Sequence, residues 1–136
     1  MIVVAVVVLF ATAAYTFAPR RYLSSKHPML DEVRSNFAKI DSKYANIPLR
    51  EGNDGAYTEN KSLITLCLKD PKTGEHYDMN TIMYVALHEL AHMVSKSYGH
   101  NDEFKKNFTE LLKRGAKIGV YDPRRPIPSS YCGVNH

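Results

Sequence analysis

Cysteine is scarce in this 136-residue chain: only Cys67 and Cys132, far apart and forming no C-x-x-C. That excludes a disulfide-built scaffold and a cysteine zinc ribbon. Two reduced thiols in a cytosolic domain are the simplest expectation, with one disulfide as the alternative. Length leaves no room for a second domain. Once the first twenty or so residues are set aside, about 110 remain, enough for one modest core. A strong one-signed charge is also missing, with 18 Lys+Arg against 14 Asp+Glu. The small basic surplus is spread over Arg20/Arg21, Lys105/Lys106, Lys113/Arg114/Lys117 and Arg124/Arg125. Solvated faces and helix C-termini explain it, and a nucleic-acid or anionic-membrane footprint rests on that surplus alone.

Basic residues are absent ahead of the apolar run at residues 2–18, where a signal peptide would carry them, and the cleavage-like Ala11-Thr12-Ala13 lies inside the run. As a helix the run would span about 25 Å, slightly short of a ~30 Å hydrocarbon core. Arg20, Arg21 and Lys26 all follow it. The positive-inside rule then puts the N-terminus across a membrane and the body in the cytosol. The expected organisation is a transmembrane anchor over residues 1–21 and one domain over 22–136. Secretion after signal cleavage is the alternative.

What the chain does carry is Tyr84-Val85-Ala86-Leu87-His88-Glu89-Leu90-Ala91-His92-Met93-Val94, with an H-E-x-x-H pattern inside it. On a helix, His88 and His92 lie one turn apart on one face, so two imidazoles converge on one metal ion. Glu89 sits about 100° round the helix from His88, beside the ion without being forced to ligate it. There it serves as a general base toward water. Ile82, Val85, Ala86, Leu90, Met93 and Val94 make the segment apolar, and no Gly or Pro interrupts it. It reads as a buried helix, where two His and a Glu need partners.

The surrounding pattern predicts an α+β domain: a small sheet packed on the motif helix and two further helices. Leu30, Val33, Phe37 and Ile40 recur on one face of a helix entered at His27-Pro28 and broken by Asn46 and Pro48. Residues 47–50 predict a short strand, 51–55 a turn, 62–69 a strand, and 75–78 a short returning strand after a tight turn at 70–74. Asp78 or Asn80 caps the motif helix, which runs over residues 80–98, and Gly99 stands where a C-cap glycine belongs. Asn101 or Asp102 caps the last helix, whose apolar face is Phe104, Phe108, Leu111 and Leu112, ending near Gly115. Residues 122–136 read as an extended tail with turns.

Two histidines do not complete a catalytic zinc site, which usually has three protein ligands and a position for water. His100, just past Gly99, is the best third candidate. Glu103, Glu110, His76 and His136 are the alternatives. The block His88-Glu89-Leu90-Ala91-His92 followed by Gly99-His100-Asn101-Asp102-Glu103-Phe104 resembles the WLM-type and SprT-type (Spartan-like) zinc metallopeptidases, over residues 63–112. Small proteins of this kind with an N-terminal apolar segment look similar to metallopeptidases predicted in large DNA viruses. The resemblance implies a minimal zincin-like fold, Zn2+ held by His88, His92 and His100, and Glu89 as general base.

The expected activity is therefore that of a membrane-anchored zinc metalloendopeptidase acting on a protein or peptide. The substrate would lie along the edge of the strand at 62–69. Tyr131, Tyr121 and Tyr98 are candidate oxyanion donors. A second reading is a membrane-tethered, non-catalytic zinc-binding protein, which Cys67 or Cys132 as a fourth ligand would favour. A third is a nucleic-acid-associated protease. The sequence sets no oligomeric state.

Overall fold

The computed structural model describes residues 25–132 and the backbone of Val134 and Asn135. The apolar run at 2–18 lies outside the described residues, so the expected anchor does too. Among the described residues no helix is long and apolar enough to cross a membrane.

Helix α1, Pro28–Ile40, begins where Pro28 takes the first turn and His27 accepts the Met29 N–H on its ring Nδ1 at 3.1 Å. Its predicted face is the buried one: Leu30, Val33, Phe37 and Ile40 all point into the core. A 3₁₀ turn, Ser42–Tyr44, follows and leads into β1, Leu49–Glu51. A hairpin of β2, Tyr57–Glu59, and β3, Leu63–Leu66, completes a three-stranded sheet in the order β1-β3-β2. β1 runs parallel to β3 with Leu49 opposite Ile64, and β2 runs antiparallel with Thr58 opposite Ile64.

The expected strand at 62–69 is thus a four-residue central strand, buried at every position. It has partners on both sides and offers no edge to a substrate, which corrects that expectation. Of the two edge strands, β1 is engaged by Ser25 at Leu49 and Glu51, and β2, a strand that periodicity had not marked, has no further strand beside it among the described residues. The returning strand expected at 75–78 reduces to a single bridge between Lys69 and His76.

Helix α2, Met79–Val94, is capped by Asp78, whose carboxylate accepts the Thr81 N–H at 2.7 Å. It crosses the sheet with Ile82, Met83, Ala86, Leu87, Leu90 and Ala91 fully buried. It ends four residues before the expected boundary, because Ser95 is extended (ψ 140°) and bonds its hydroxyl back to the Ala91 carbonyl at 2.7 Å. Gly99 is therefore not its cap. Helix α3, Asp102–Ile118, is capped by Asn101 and runs past Gly115 to Gly119, whose left-handed φ of 83° makes it the true C-cap glycine.

After α3 the chain turns back. Asn80 clasps the backbone of Asp122 in both directions, at 2.7 and 3.1 Å, and Arg125 pairs with Asp78 at 2.9 Å. The tail ends in a two-stranded ribbon of β4, Ser130–Tyr131, and β5, Val134–Asn135. Cys67 and Cys132 form a disulfide with Cα atoms 6.4 Å apart, correcting the expectation of two reduced thiols. Tyr131 is buried beside it and donates its hydroxyl to the Cys67 carbonyl.

Candidate metal centre

The four-residue repeat on α2 aims His88 and His92 the same way, with ring centroids 5.0 Å apart. His100 arrives from the loop between α2 and α3, where Gly99 adopts a left-handed φ of 88° and turns the chain inward. The His100 Nε2 lies 3.0 Å from that of His92 and 3.2 Å from that of His88. Among the described residues this is the group of ligand-type side chains that converges on one point, all within 4.8 Å of one another. Imidazole lone pairs facing each other at such distances need a proton or a cation between them, so the three rings could hold a metal ion.

The other sequence candidates are elsewhere. His76 is exposed and packs against His27, with ring centroids 5.5 Å apart. Glu110 is exposed and outside the converging group. His136 lies outside the described residues. Glu103 serves the loop: its carboxylate accepts the N–H groups of Lys96 (2.9 Å) and Ser97 (3.0 Å) and the Ser97 hydroxyl (2.5 Å). Those three bonds hold its pKa down to about 2. With Cys67 and Cys132 paired to each other, neither is available as a fourth ligand.

Glu89 is buried, 5% exposed, on the sheet side of the imidazoles. The Thr58 hydroxyl of β2 lies 3.0 Å from its Oε1 and 3.0 Å from its backbone carbonyl oxygen. Burial raises its pKa to about 7, and the Thr58 hydrogen bond partly opposes the rise. His92 is shifted the other way: burial, then the neighbouring His100 and Lys61, disfavour its protonated form. Phe104 makes an apolar floor beneath the rings, stacked on His92 with centroids 4.2 Å apart and edge-on to His88 and His100.

Two supporting residues carry no signal in the periodicity. Thr58 is the one inward position of a three-residue strand. Lys61 follows Asn60 in the hairpin turn, both in left-handed backbone (φ 53° and 48°), a conformation costing on the order of 1–3 kcal/mol per residue. That turn delivers the Lys61 ammonium to the carbonyls of His92 (2.6 Å) and Ser97 (3.1 Å). It also sits 4.6 Å from the centre of the Tyr98 ring. Lys61 and Glu103 thus grip the loop that presents His100 from opposite sides. Of the tyrosines, Tyr98 and Tyr131 line cavities at the histidines, while Tyr121 packs on Tyr84 away from them.

The WLM domain profile matches residues 54–124. The chain is 41% identical over 90 residues to uncharacterized protein 136R of Invertebrate iridescent virus 6, covering 65% of this chain and 50% of that protein. A protein of Acanthamoeba polyphaga mimivirus is 34% identical over 110 residues, 79% of this chain and 54% of its own length. The chain spans about half the length of the curated relatives it matches. Among solved structures, Wss1 from Saccharomyces cerevisiae superposes with a TM-score of 0.60 at 21% identity, over 67% of this chain and 77% of that one, a likeness of fold. A Wss1 mutant from S. pombe gives 0.54 at 26% identity, over 63% and 80%.

Proposed function

The chain belongs to the WLM domain family and has a metallopeptidase-type fold, and on that premise we propose that it is a zinc-dependent metalloendopeptidase. The observation that carries this reading is the convergence of three imidazole nitrogens beside one buried carboxylate. Zinc suits the donor set: nitrogens about 2.0–2.1 Å from a tetrahedral ion stand about 3.3 Å apart, and two of the Nε2 pairs lie at 3.0 and 3.2 Å. His88, His92 and His100 would hold the ion. When bound, it supplies Lewis-acid polarisation of the scissile carbonyl and makes water acidic near neutral pH.

The chain's own residues do the rest. Glu89 takes a proton from the attacking water and returns it to the leaving amine. Its burial keeps the carboxylate close to neutrality in proton affinity, which suits both transfers. Thr58 holds that carboxylate in place. A substrate backbone adds to the free edge of β2, the strand carrying Thr58, and so passes beside Glu89. Tyr98 is the oxyanion-donor candidate with room to move, since it is 77% exposed at the cleft, whereas the Tyr131 hydroxyl already donates to Cys67.

The test is zinc content and peptide cleavage of the full chain, wild type against Glu89→Gln. One zinc per chain in both, with cleavage only in the wild type, is expected. Turnover retained in the variant, or a wild type that binds no zinc, sinks the reading.

The run at residues 2–18 supports a membrane tether. Two placements of the body follow from different observations. The basic residues after the run favour the cytosolic side. The Cys67–Cys132 pair favours an oxidising compartment, which secretion or the opposite orientation would supply. Alkylation of the denatured protein from cells quenched in acid separates them: a cysteine pair that is modified only after reduction excludes the reduced cytosolic placement. Nucleic-acid binding rests only on the small basic surplus, and absence of DNA binding at low salt removes it.

A further inference from the structure

Two cavities meet at His88, Glu89 and His100, and their other walls come from different elements. The first, about 310 Å³, is bounded by Thr58, Lys61, His92 and Tyr98. The second, about 560 Å³, is bounded by Tyr84, Val85, Phe104, Phe108 and Tyr131. Both volumes fall within the roughly 300–1,000 Å³ range of ligand pockets. A peptide bond held at Glu89 would therefore place the side chains on its two sides in two different cavities, the second of them walled by four aromatic rings.

The second cavity has a wall from an unexpected source. Tyr84 and Val85 come from α2, and Phe104 and Phe108 from α3, but Tyr131 comes from the tail. Tyr131 is held by its hydroxyl on the Cys67 carbonyl and by its ring against Tyr77, with centroids 5.0 Å apart. The next residue, Cys132, donates its N–H to the Tyr77 hydroxyl at 2.8 Å and is crosslinked to Cys67. Cys132 also has a left-handed φ of 49°, a state that a non-glycine residue keeps only where its surroundings impose it. The crosslink is the covalent part of that imposition.

Resting on the peptidase reading above, we propose that the second cavity is a subsite for one large apolar side chain flanking the scissile bond, with the disulfide-pinned tail as its wall. The aromatic lining gives such a side chain a dry partner surface. The rim carries one charge of each sign, Asp54 and Lys105, and so does not select for charge. Selection then depends on the redox state of the pair. A dithiol reductant cleaves the Cys67–Cys132 bond, giving two thiols while it is itself oxidised to a disulfide, and the wall loses its covalent anchor.

The experiment uses the zinc-loaded full chain and peptides that carry Ala, Leu or Phe at each position beside the cleaved bond. Leu and Phe should exceed Ala in kcat/KM by about tenfold or more at one of the two positions. Val85→Phe, which fills the cavity, should bring that ratio down. Reduction by a dithiol, verified by two titratable thiols per chain, should lower the ratio mainly through KM while the Ala peptide is still cleaved. A ratio near one at both positions in the oxidised protein overturns the subsite and leaves the peptidase reading standing. A ratio indifferent to reduction overturns the tail's role. No cleavage of any peptide overturns both this inference and the reading beneath it.

Discussion

Helix α2 and the loop at residues 95–101 bring imidazoles to the same point by opposite means. On α2, backbone geometry alone spaces His88 and His92, and the buried residues Ile82, Ala86, Leu87 and Leu90 lock the helix against the sheet. His100 is exposed, and no repeat places it. It is where it is because Glu103 holds Lys96 and Ser97 from one side and Lys61 holds His92 and Ser97 from the other. Half of the centre is thus a local property of sequence, and half is an agreement between a hairpin, a loop and a helix start.

That contrast can be broken in graded steps. The largest effect belongs to Glu89, which sits on the rigid half: Glu89→Gln should lower kcat by about 10²–10⁴-fold with zinc retained, measured by single-turnover cleavage and metal analysis. Removing the loop's ligand comes next. His100→Ala should weaken zinc binding by more than about 100-fold while leaving α2 helical, which competition with a chelator and far-UV circular dichroism will show.

Weakening only the loop's grip should do less. Glu103→Gln should cost roughly tenfold in zinc affinity, and Lys61→Met a similar factor, each read by the same competition. An unchanged affinity in both would show that the loop holds its shape unaided. The Glu103 grip also has a pH signature. Its folded pKa is depressed to about 2, so its contribution is complete above the usual carboxylate range and is lost as pH falls toward 2. Amide protection at Lys96 and Ser97, taken relative to the intrinsic exchange rate at each pH, should fall over that window in wild type and be low throughout in Glu103→Gln.

A separate effect is on stability. Glu89 has a raised pKa of about 7 without metal, so the metal-free fold binds its proton more tightly than the unfolded chain does. Its stability should fall as pH rises from about 4.5 through 7. Glu89→Gln should remove that loss, stabilising the metal-free protein at pH 8 by up to roughly 3 kcal/mol in chemical denaturation with chelator present.

Legibility in the sequence followed the same division. The α1 face was readable residue by residue because its four apolar positions obey one period and all became core. The shared direction of His88 and His92 was readable for the same reason, and the approach of His100 because it adjoins a turn glycine. The end of α2 was misjudged because nothing local stops it. What stops it is the Ser95 hydroxyl donating to the Ala91 carbonyl, supported by the Asn107 side-chain NH2 donating to the Ser95 hydroxyl oxygen at 3.0 Å. Strand β2 was missed because three residues with one inward side chain have no detectable alternation. The Cys67–Cys132 pairing, across 65 residues, has no local signature at all.

The sequence by itself determined that His88 and His92 face one way with Glu89 beside them, because a four-residue repeat on an apolar helix has one geometric outcome. It also determined the three helices, through periodicity and caps. Tertiary structure alone decided which strand offers its edge, that Thr58 meets Glu89, that Lys61 and Glu103 fix the third imidazole, and that the tail closes a cavity. The reason is range. Backbone periodicity acts within a turn or two, whereas these contacts join residues up to 65 positions apart, and packing brings them together only once the core has formed.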